Sequence, residues 1–480
     1  MSNVMKNLKV LLDKERFGDF YRESIEQLKS NTGSDQLWGL LGLYFLKMDN
    51  GLMAERCFKR AQLLNPFIKG IDQALSRCLN TSHREEIPEI SELLLPASSS
   101  VAALVLTRNS SRTIRDCLSA LKGAVDQIVV VDTGSTDDTI DIVKQMGEAV
   151  HSFHWCDDFS QARNFALRFV ETDWVIAIDS DEILFQSDRK CIKQVAGIFA
   201  GMRQPVVLGI NQVNKVPNRI ESCWQFRMFR TDQGLAWESP IHEYVVPQDP
   251  TEQVDYRYVN IRVLHDGYDP SAVSRQDKFR RNVEILRRVV KNDPDNLDMR
   301  YYLGRDAFHL GQYQEALENL EEAYRLSEIA HRFNNPMIDV FLILTLEKLE
   351  RYRDAEHLAR RMTQKYPQYP DGHYLYARLM FARIHRDLNE VFNETQTARN
   401  LAVSYKGPHV TDQSLARWKT ELTFADLSRM QGDLKKTRDI CRRVLKNYPD
   451  TPKTVMEALV TLENNIMELA EDIRSDRSTE

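Results

Sequence analysis

Two different spacings of hydrophobic residues divide the chain into a central α/β part and two helical parts. In the centre, four continuous apolar runs each end in a polar loop, and amphipathic stretches separate them; the runs are residues 101–106, 127–131, 150–154 and 174–178. Strand, loop and helix repeated in this order predict a mostly parallel sheet that is buried on both faces. Ligands of such sheets bind at the carboxyl ends of the strands.

Polar clusters follow all four runs, so they are predicted to meet at one edge of the sheet. The clusters are residues 107–109 (TRN), 132–137 (DTGSTD), 157–160 (DDFS) and 179–182 (DSDE). Alternation along an extended segment points the side chains of Asp179 and Asp181 to the same side. Carboxylate oxygens are the ligands that Mg²⁺ and Mn²⁺ prefer. These two residues therefore predict a divalent-cation site.

The flanking sequences carry the packing residues of a helix-turn-helix repeat of about 34 residues. Small residues let the two helices approach, and a proline closes each unit. The matching positions are Trp38, Leu41, Gly42, Ala54, Phe58, Ala61 and Pro66; Leu303, Gly304, Ala307, Gly311, Ala316, Leu320 and Ala323; Ala355, Ala359, Met362 and Pro367; and Ala425, Gly432, Cys441, Val444 and Pro449. The pattern resembles tetratricopeptide repeats. Residues 371–403 are helical in pattern but match poorly, and Gly407-Pro408 indicates a loop.

Composition places the boundaries between these parts. Proline and serine are concentrated between Ser82 and Ser100, which is typical of a linker. We predict an α/β plus all-α protein in four segments: N-terminal tetratricopeptide-like helices at 1–84, a linker at 85–100, an α/β domain with a Rossmann-like mixed sheet at 101–270, and a C-terminal helical array at 271–480.

Charge and cysteine content exclude several classes of protein. The 480 residues carry a formal net charge of -6, and no stripe of Lys and Arg with interleaved aromatics is present, so nucleic acid is not an expected partner. The chain has no apolar segment of signal-peptide or membrane-spanning length, which favours the cytoplasm. Its seven cysteines are scattered without a Cys-x-x-Cys pair, so we expect reduced thiols.

Four segments in order resemble the nucleotide-sugar domain of inverting, GT-A-fold glycosyltransferases of family two: residues 104–109 (LVLTRN), 130–139 (VVDTGSTDDT), 158–166 (DFSQARNFA) and 173–182 (DWVIAIDSDE). The resemblance extends from Val101 to about Tyr268. It implies a UDP-sugar donor, a divalent cation (Mn²⁺ or Mg²⁺) and a donor site formed by Thr107, Arg108, Asn109, Asp132, Arg163, Asp179 and Ser180.

Three residues of this implied site each allow a second interpretation. Asp132 matches the position that recognises uridine in the family, or it is a turn carboxylate that caps the next helix. Arg163 contacts a phosphate or carboxylate, or it holds the loop at Asp157-Asp158. His265 resembles the distal histidine that completes the metal site beside Asp179 and Asp181, although an isolated histidine is often structural.

The second half of the α/β domain carries the acceptor chemistry. Residues 226–230, Trp237 and 241–243 are spaced as in a subgroup that includes lipopolysaccharide-core transferases and peptide glycosyltransferases of the SunS type. Inversion requires one base that takes a proton from the acceptor. Glu243 is the first candidate and His242 the second; alternatively, Glu243 forms an ion pair with an arginine such as Arg230. On the following helix, Lys278, Arg281 and Asn282 either reach the diphosphate or form a solvated face.

The function that follows is transfer of a sugar from a UDP-sugar to a protein or peptide acceptor, such as flagellin or a secreted peptide, bound by the repeats. One alternative is a saccharide acceptor, as in lipopolysaccharide-core or capsule assembly. A second is a repeat scaffold with a vestigial nucleotide-sugar domain. The chain lacks the glycine-rich loops of P-loop and dinucleotide-binding proteins and of nucleotidyltransferases, and it lacks a Gly-x-Ser-x-Gly elbow.

Overall fold

The computed structural model describes residues 3–216, 219–265, 275–330, 335–404, 413–449 and 451–477. The chain forms two compact units, Met1–Leu310 and Gly311–Glu480. Among the described residues, no helix is both long enough and apolar enough to cross a membrane. All seven cysteines are free thiols.

The first unit begins with six helices: α1 (Asn3–Asp13), α2 (Phe17–Ser30), α3 (Asp35–Lys47), α4 (Gly51–Leu64), α5 (Ile71–Cys78) and α6 (Pro88–Leu94). Helices α3 and α4 are the N-terminal repeat that the sequence predicts. Ser34 caps α3 by accepting a hydrogen bond from Leu37 N. A Cβ atom on Gly42 would lie 2.5 Å from the Phe58 ring, so only glycine allows the two helices to approach this closely.

The segment from Ser82 to Ser100, predicted as a linker, is packed against the rest of the first unit. It contains α6, in which Ile90 is fully buried. A Cβ atom on Gly197 would lie 2.0 Å from the carbonyl oxygen of Ala97, so the backbone of this segment touches the domain that follows. Ile90 belongs to the same hydrophobic cluster as Trp38 and Val101, which joins the N-terminal helices to the sheet.

The α/β part alternates strands and helices, as the four apolar runs predict. Its elements are β1 (Val101–Thr107), α7 (Ile114–Leu121), β2 (Gln127–Asp132), α8 (Thr139–Gln145), β3 (Val150–Ser152), α9 (Phe159–Leu167), β4 (Trp174–Asp179), β5 (Glu182–Leu184), α10 (Arg189–Phe199), β6 (Val206–Val216), β7 (Arg219–Arg230), β8 (Leu235–Glu238), β9 (Tyr244–Pro247) and β10 (Asp255–His265).

Eight of these strands form one mixed sheet in the order β3-β2-β1-β4-β7-β6-β10-β5. The first four are parallel to each other, β7 is antiparallel to β4 and β6, and β8 pairs with β9 in a separate ribbon. Side chains of β1 alternate between two cores: Val105 belongs to the cluster with the N-terminal helices, and Leu104 belongs to a second cluster with α9 and β8. The sheet is therefore buried on both faces, as predicted.

Two helices complete the first unit, α11 (Arg275–Asn292) and α12 (Leu297–His309). Leu286 of α11 and Leu303 of α12 are buried together with Ile241 from the loop before β9. The first helices of the C-terminal array thus share a small core with the α/β domain.

The second unit is entirely helical among its described residues. Its helices are α13 (Tyr313–Ala330), α14 (Pro336–Lys348), α15 (Tyr352–Lys365), α16 (Pro370–Ser404), α17 (Trp418–Met430), α18 (Leu434–Asn447) and α19 (Lys453–Arg477). The predicted small residues Ala355, Ala359 and Cys441 are fully buried. The stretch that matches the repeat poorly is the long helix α16, and the Gly407-Pro408 loop lies outside the described residues.

Candidate active site

The register of the sheet brings the predicted polar clusters to one edge. Thr107, the last residue of β1, is directly opposite Asp132, the last residue of β2. On the other side of β1, Leu106 is opposite Asp179, the last residue of β4. Because these three strands are parallel, the loops after them all emerge on the same side of the sheet.

Hydrogen bonds between the loops hold this edge together. Asn109 adopts a left-handed backbone conformation with a φ of 49°, and its Oδ1 accepts a hydrogen bond from Thr136 N at 2.8 Å. The hydroxyl groups of Ser110 and Ser180 lie 2.8 Å apart, which links the β1 loop to the end of β4. Arg108, the residue before Asn109, is exposed.

Asp132 is a turn carboxylate, and only one of its two oxygens accepts hydrogen bonds from the described residues. Its Oδ2 accepts hydrogen bonds from the backbone N–H groups of Gly134 and Ser135, both at 3.0 Å. Its Oδ1 is buried and has no partner among the described residues, and the same is true of Thr107 Oγ1. A buried acceptor without a donor costs free energy, so this position fits a ligand that brings an N–H or O–H group. Asp132 does not cap α8, because Asp138 occupies that position.

Asp179 lies between two buried arginines. Its Oδ1 accepts a hydrogen bond from Arg163 Nη2 at 2.8 Å, and its Oδ2 lies 3.5 Å from Arg227 Nη1. Burial acts to raise the pKa of Asp179, but the two guanidinium groups outweigh it and hold that pKa well below its ordinary value. The Asp179 side chain remains 39% exposed, so a ligand can still reach it.

A second carboxylate, Glu182, holds the backbone of Asp179 in place. Glu182 is not among the site residues predicted from the sequence. Glu182 is fully buried and accepts two hydrogen bonds from Arg227, at 2.7 and 2.9 Å. Gln212 donates to its Oε1 at 2.7 Å, and Asp179 N donates to its Oε2 at 2.9 Å. Arg227 lies on β7, 45 residues after Glu182. The sequence alone therefore does not reveal that these two residues form a pair.

Asp181 faces His265, the last residue of β10. His265 Nε2 lies 3.2 Å from Asp181 Oδ2, and His265 Nδ1 lies 2.7 Å from Asn214 Oδ1. Both oxygens that face the ring are hydrogen-bond acceptors, so Nδ1 is oriented toward Asn214 and Nε2 toward Asp181. This is how metal-binding histidines are commonly oriented. Burial acts to lower the pKa of His265, but the hydrogen bond to Asp181 and the nearby carboxylates outweigh it and raise that pKa. The neighbouring Gly267 and Tyr268 lie outside the described residues.

Two of the three predicted metal ligands, Asp181 and His265, lie next to each other. Among the described residues, no group of three or more His, Cys, Asp and Glu side chains forms a metal site. Mg²⁺ is commonly held by one or two carboxylates together with the phosphates of a substrate and water. Asp181 and His265 therefore fit a cation that is shared with a diphosphate. The two oxygens of Asp179 face Arg163 and Arg227.

The two base candidates have different surroundings. Glu243 Oε1 accepts a hydrogen bond from Arg163 Nε at 2.6 Å, and its Oε2 has no hydrogen bond among the described residues. His242 stacks on Tyr302 with ring centres 3.8 Å apart, and its Nε2 lies 3.2 Å from Arg305 Nη2. Burial and the nearby arginines lower the pKa of His242 to about 3, so this histidine is neutral at physiological pH.

The ion pairs weighed from sequence form with other partners. Glu243 pairs with Arg163, whereas Arg230 pairs with Asp232 at 2.6 Å. The loop at Asp157 is held by Arg288 at 2.8 Å and not by Arg163. On α11, Asn282 Nδ2 donates to Asp306 at 3.1 Å, and Arg281 lies over the Phe159 ring at 5.2 Å.

Two family models match parts of this chain. Residues 103–248 match the model for Glycosyl transferase family 2, and residues 272–328 match a tetratricopeptide repeat model. The SPbeta prophage-derived glycosyltransferase SunS of Bacillus subtilis (strain 168) is 26% identical over 296 residues, covering 60% of this chain and 68% of SunS. A TPR repeat-containing protein of Synechococcus elongatus is 24% identical over 269 residues, covering 53% of this chain and 62% of that protein.

Two solved structures with partial similarity contain nucleotide sugars. S. aureus TarS 1–349 in complex with UDP-GlcNAc has a TM-score of 0.32 and 16% identity, over 56% of this chain and 92% of that chain. Glucosyl-3-phosphoglycerate synthase from Mycobacterium tuberculosis, in complex with Mn²⁺ and uridine-diphosphate-glucose, has a TM-score of 0.20 and 22% identity, over 23% of this chain and 44% of that chain. Family model and strand topology together identify residues 103–248 as a glycosyltransferase domain of family 2 with the GT-A fold, followed by tetratricopeptide repeats in the same chain.

Proposed function

We propose that this protein is a metal-dependent, inverting glycosyltransferase that moves a sugar from a UDP-sugar to a polypeptide. The observation that carries the proposal is the pairing of Asp181 with an oriented His265 at the same sheet edge as Asp132. These groups supply a cation site and a buried hydrogen-bond acceptor in a domain of the right family.

The donor binds along the ends of β1, β2 and β4. Asp132 Oδ1, which is buried without a donor, accepts a hydrogen bond from the uracil or ribose of the nucleotide. Thr107 Oγ1, on the strand position opposite Asp132, is a second such group. We assign Arg108, Asn109 and Ser180, which follow the ends of β1 and β4, to the contact with the rest of the donor. Arg163 retains one buried donor atom, Nη1, for a phosphate oxygen.

Asp181 and His265 would hold Mn²⁺ or Mg²⁺. A bound cation would supply Lewis-acid stabilisation of the negative charge on the departing diphosphate. Asn214 fixes the orientation of the His265 ring, with Nε2 toward Asp181. Glu182 and Arg227 fix the backbone and side chain of Asp179 beneath the site.

Glu243 is the general base. Its Oε1 is held by Arg163, so its Oε2 remains to take the proton from the acceptor nucleophile as the sugar is transferred. His242 is a poor base, because its lowered pKa means that it binds a proton only weakly and Arg305 already donates toward its Nε2. We therefore assign the base role to Glu243 alone.

The acceptor class follows from the repeats. Tetratricopeptide arrays present extended surfaces that suit peptide segments, and they occupy most of the chain after the catalytic domain. We propose a polypeptide acceptor that is modified in the cytoplasm, where the seven free cysteines remain reduced.

A donor screen tests this function. The purified full chain is incubated with UDP-glucose, UDP-N-acetylglucosamine and other UDP-sugars, with Mn²⁺, Mg²⁺ or EDTA, and UDP release is measured. We expect turnover of at least one donor with metal and none with EDTA. Labelled product from a host extract should be sensitive to protease; protease-resistant, glycosidase-sensitive product would instead identify a saccharide acceptor. No turnover with any donor would favour a non-catalytic scaffold.

Two variants separate the cation from the base. Asp181→Ala should abolish metal-dependent turnover without loss of folding, and Asp138→Ala, which removes an exposed carboxylate at the same sheet edge, is its control. Glu243→Gln should bind UDP with wild-type affinity but lose transfer, with the exposed Glu238→Gln as control. Wild-type turnover in Asp181→Ala refutes the metal assignment, and wild-type transfer in Glu243→Gln moves the base elsewhere.

A further inference from the structure

Arg163 joins the donor side of the site to the base. Its Nη2 donates to Asp179 Oδ1 at 2.8 Å, and its Nε donates to Glu243 Oε1 at 2.6 Å. The arginine side chain is only 7% exposed, and Glu243 is 15% exposed. One buried guanidinium thus bonds two carboxylates that belong to different parts of the chain, the end of β4 and the loop before β9.

Hydrogen bonds on both sides of Arg163 fix the helix that carries it. Asp158 caps α9 by accepting a hydrogen bond from Gln161 N at 3.0 Å. Asn164, the next residue after Arg163, pairs with the backbone of Trp237 through two hydrogen bonds, at 2.8 and 2.9 Å. The backbone of Arg163 therefore cannot shift without breaking the contact between α9 and β8.

We infer that Arg163 is a positioning residue for the base: by bonding Asp179 and Glu243 at the same time, it fixes Glu243 Oε1 and leaves Oε2 for the acceptor. This inference rests on the proposed function, because it takes Glu243 as the base. A planar guanidinium that donates from two fixed N–H groups sets the direction of both carboxylates, which an ammonium group on a flexible stem does not.

Two arginines of the following helices lie near the base. Arg281 of α11 is near enough to interact with Glu243 electrostatically, and Arg305 of α12 faces the adjacent His242. Among the described residues, Arg163 donates a hydrogen bond to Glu243 and neither of these two arginines does. Loss of Arg163 should therefore lower kcat by releasing the direction of the carboxylate.

The test compares Arg163→Gln and Arg163→Lys with the control Arg168→Gln, which removes an exposed arginine at the end of α9. UDP release from UDP-glucose and UDP-N-acetylglucosamine is followed from pH 5 to 9 with Mn²⁺, and UDP affinity is measured by calorimetry. We expect kcat of Arg163→Gln to fall by about 100-fold or more across this pH range, with a smaller change in UDP affinity. Arg163→Lys should restore only part of kcat.

Different failures lead to different conclusions. A raised KM for the donor with unchanged kcat would leave Arg163 as a donor-binding residue only and overturn the inference. If Arg163→Gln does not fold, the profile of Arg163→Lys decides: a wild-type kcat in that variant contradicts the positioning role. If Glu243→Gln transfers sugar normally, the proposed function has lost its base; if it does not while the Arg163 variants behave as wild type, only this inference fails.

Discussion

Glu182 accepts a hydrogen bond from the backbone N–H of Asp179 at 2.9 Å, three residues before it in the chain. The same carboxylate is fully buried and neutralised by Arg227. The tight turn at the end of β4 is thus shaped by an ion pair inside the sheet, and the direction of Asp179 and Asp181 depends on it.

Glu182→Gln should destabilise the first unit. The change leaves the buried Arg227 with the Asp179 carboxylate, 3.5 Å away, in place of its two short hydrogen bonds to Glu182, and breaking a buried pair costs up to about 3 to 5 kcal/mol. Thermal unfolding of the full chain measures the loss, with the exposed Glu171→Gln as control. Replacing both Glu182 and Arg227 by methionine should cost less than the sum of the single changes; an additive result would show that the pair does not act as a unit.

Asn214→Ala should weaken the cation site without removing a ligand. Asn214 Oδ1 lies 2.7 Å from His265 Nδ1 and fixes the orientation of the ring, with Nε2 toward Asp181. Loss of such a partner commonly lowers metal affinity by about 10- to 100-fold. The Mn²⁺ concentration for half-maximal UDP release should rise by that factor, while UDP release at saturating Mn²⁺ stays near the wild-type rate. An unchanged Mn²⁺ requirement would remove His265 from the site.

The sequence predicts the edge of the sheet well and the ion pairs poorly, for a physical reason. Strand and loop order depend on local hydrophobic runs, so Thr107, Asp132 and Asp179 were placed at one edge by pattern alone, and the register puts them there. The partners of the charged residues depend on contacts between distant segments. Arg163 and Glu243 are 80 residues apart, and no local pattern distinguishes Arg163 from Arg230 as the partner.

The segment between the N-terminal repeat and β1 shows the same limit. Its prolines and serines are typical of a linker, yet Ile90 is buried in the common core. A single repeat cannot bury its apolar face alone, and this packing against the α/β domain supplies what the repeat lacks. Composition indicates how flexible the backbone of a segment is, but it does not indicate which surface the segment packs against.

Asp132→Asn should separate nucleotide recognition from folding. The amide keeps one oxygen for the turn formed with Gly134 and Ser135, but it replaces the carboxylate and its unpaired, buried Oδ1. A lost hydrogen bond to a charged group corresponds to about 1.5 to 3 kcal/mol. We expect UDP affinity to fall by about 10- to 100-fold in calorimetry, with an unchanged melting temperature.

The control for this change is Asp138→Asn, at an exposed position of the same loop. It should bind UDP as the wild type does. Equal UDP affinity in Asp132→Asn and the wild type would show that Asp132 serves the turn only. A large drop in melting temperature for Asp132→Asn would also contradict the prediction, because the turn would then depend on the charge.

Asp339 in the second unit should make stability depend on pH. Asp339 is 2% exposed and its Oδ1 has no partner among the described residues. Burial raises the pKa of Asp339 to about 6, and the nearby Lys365 offsets only part of that effect. Near pH 4 and below, the folded and unfolded chains both bind the proton. As pH rises from about 4 to 6 the unfolded chain releases it first, so the free energy of unfolding falls across this window.

Asp339→Asn removes that dependence. A shift from 3.8 to about 6 corresponds to about 3 kcal/mol, so at pH 7 to 8 the variant should be more stable than the wild type by about 2 to 3 kcal/mol. The difference should shrink below pH 6 and vanish near pH 4. Thermal or urea unfolding of the full chain at several pH values measures it, with the exposed Asp387→Asn as control. A variant that is less stable at pH 7 would show that Asp339 is stabilised as a carboxylate by Lys365, because only a favourable ion pair would make loss of the charge costly.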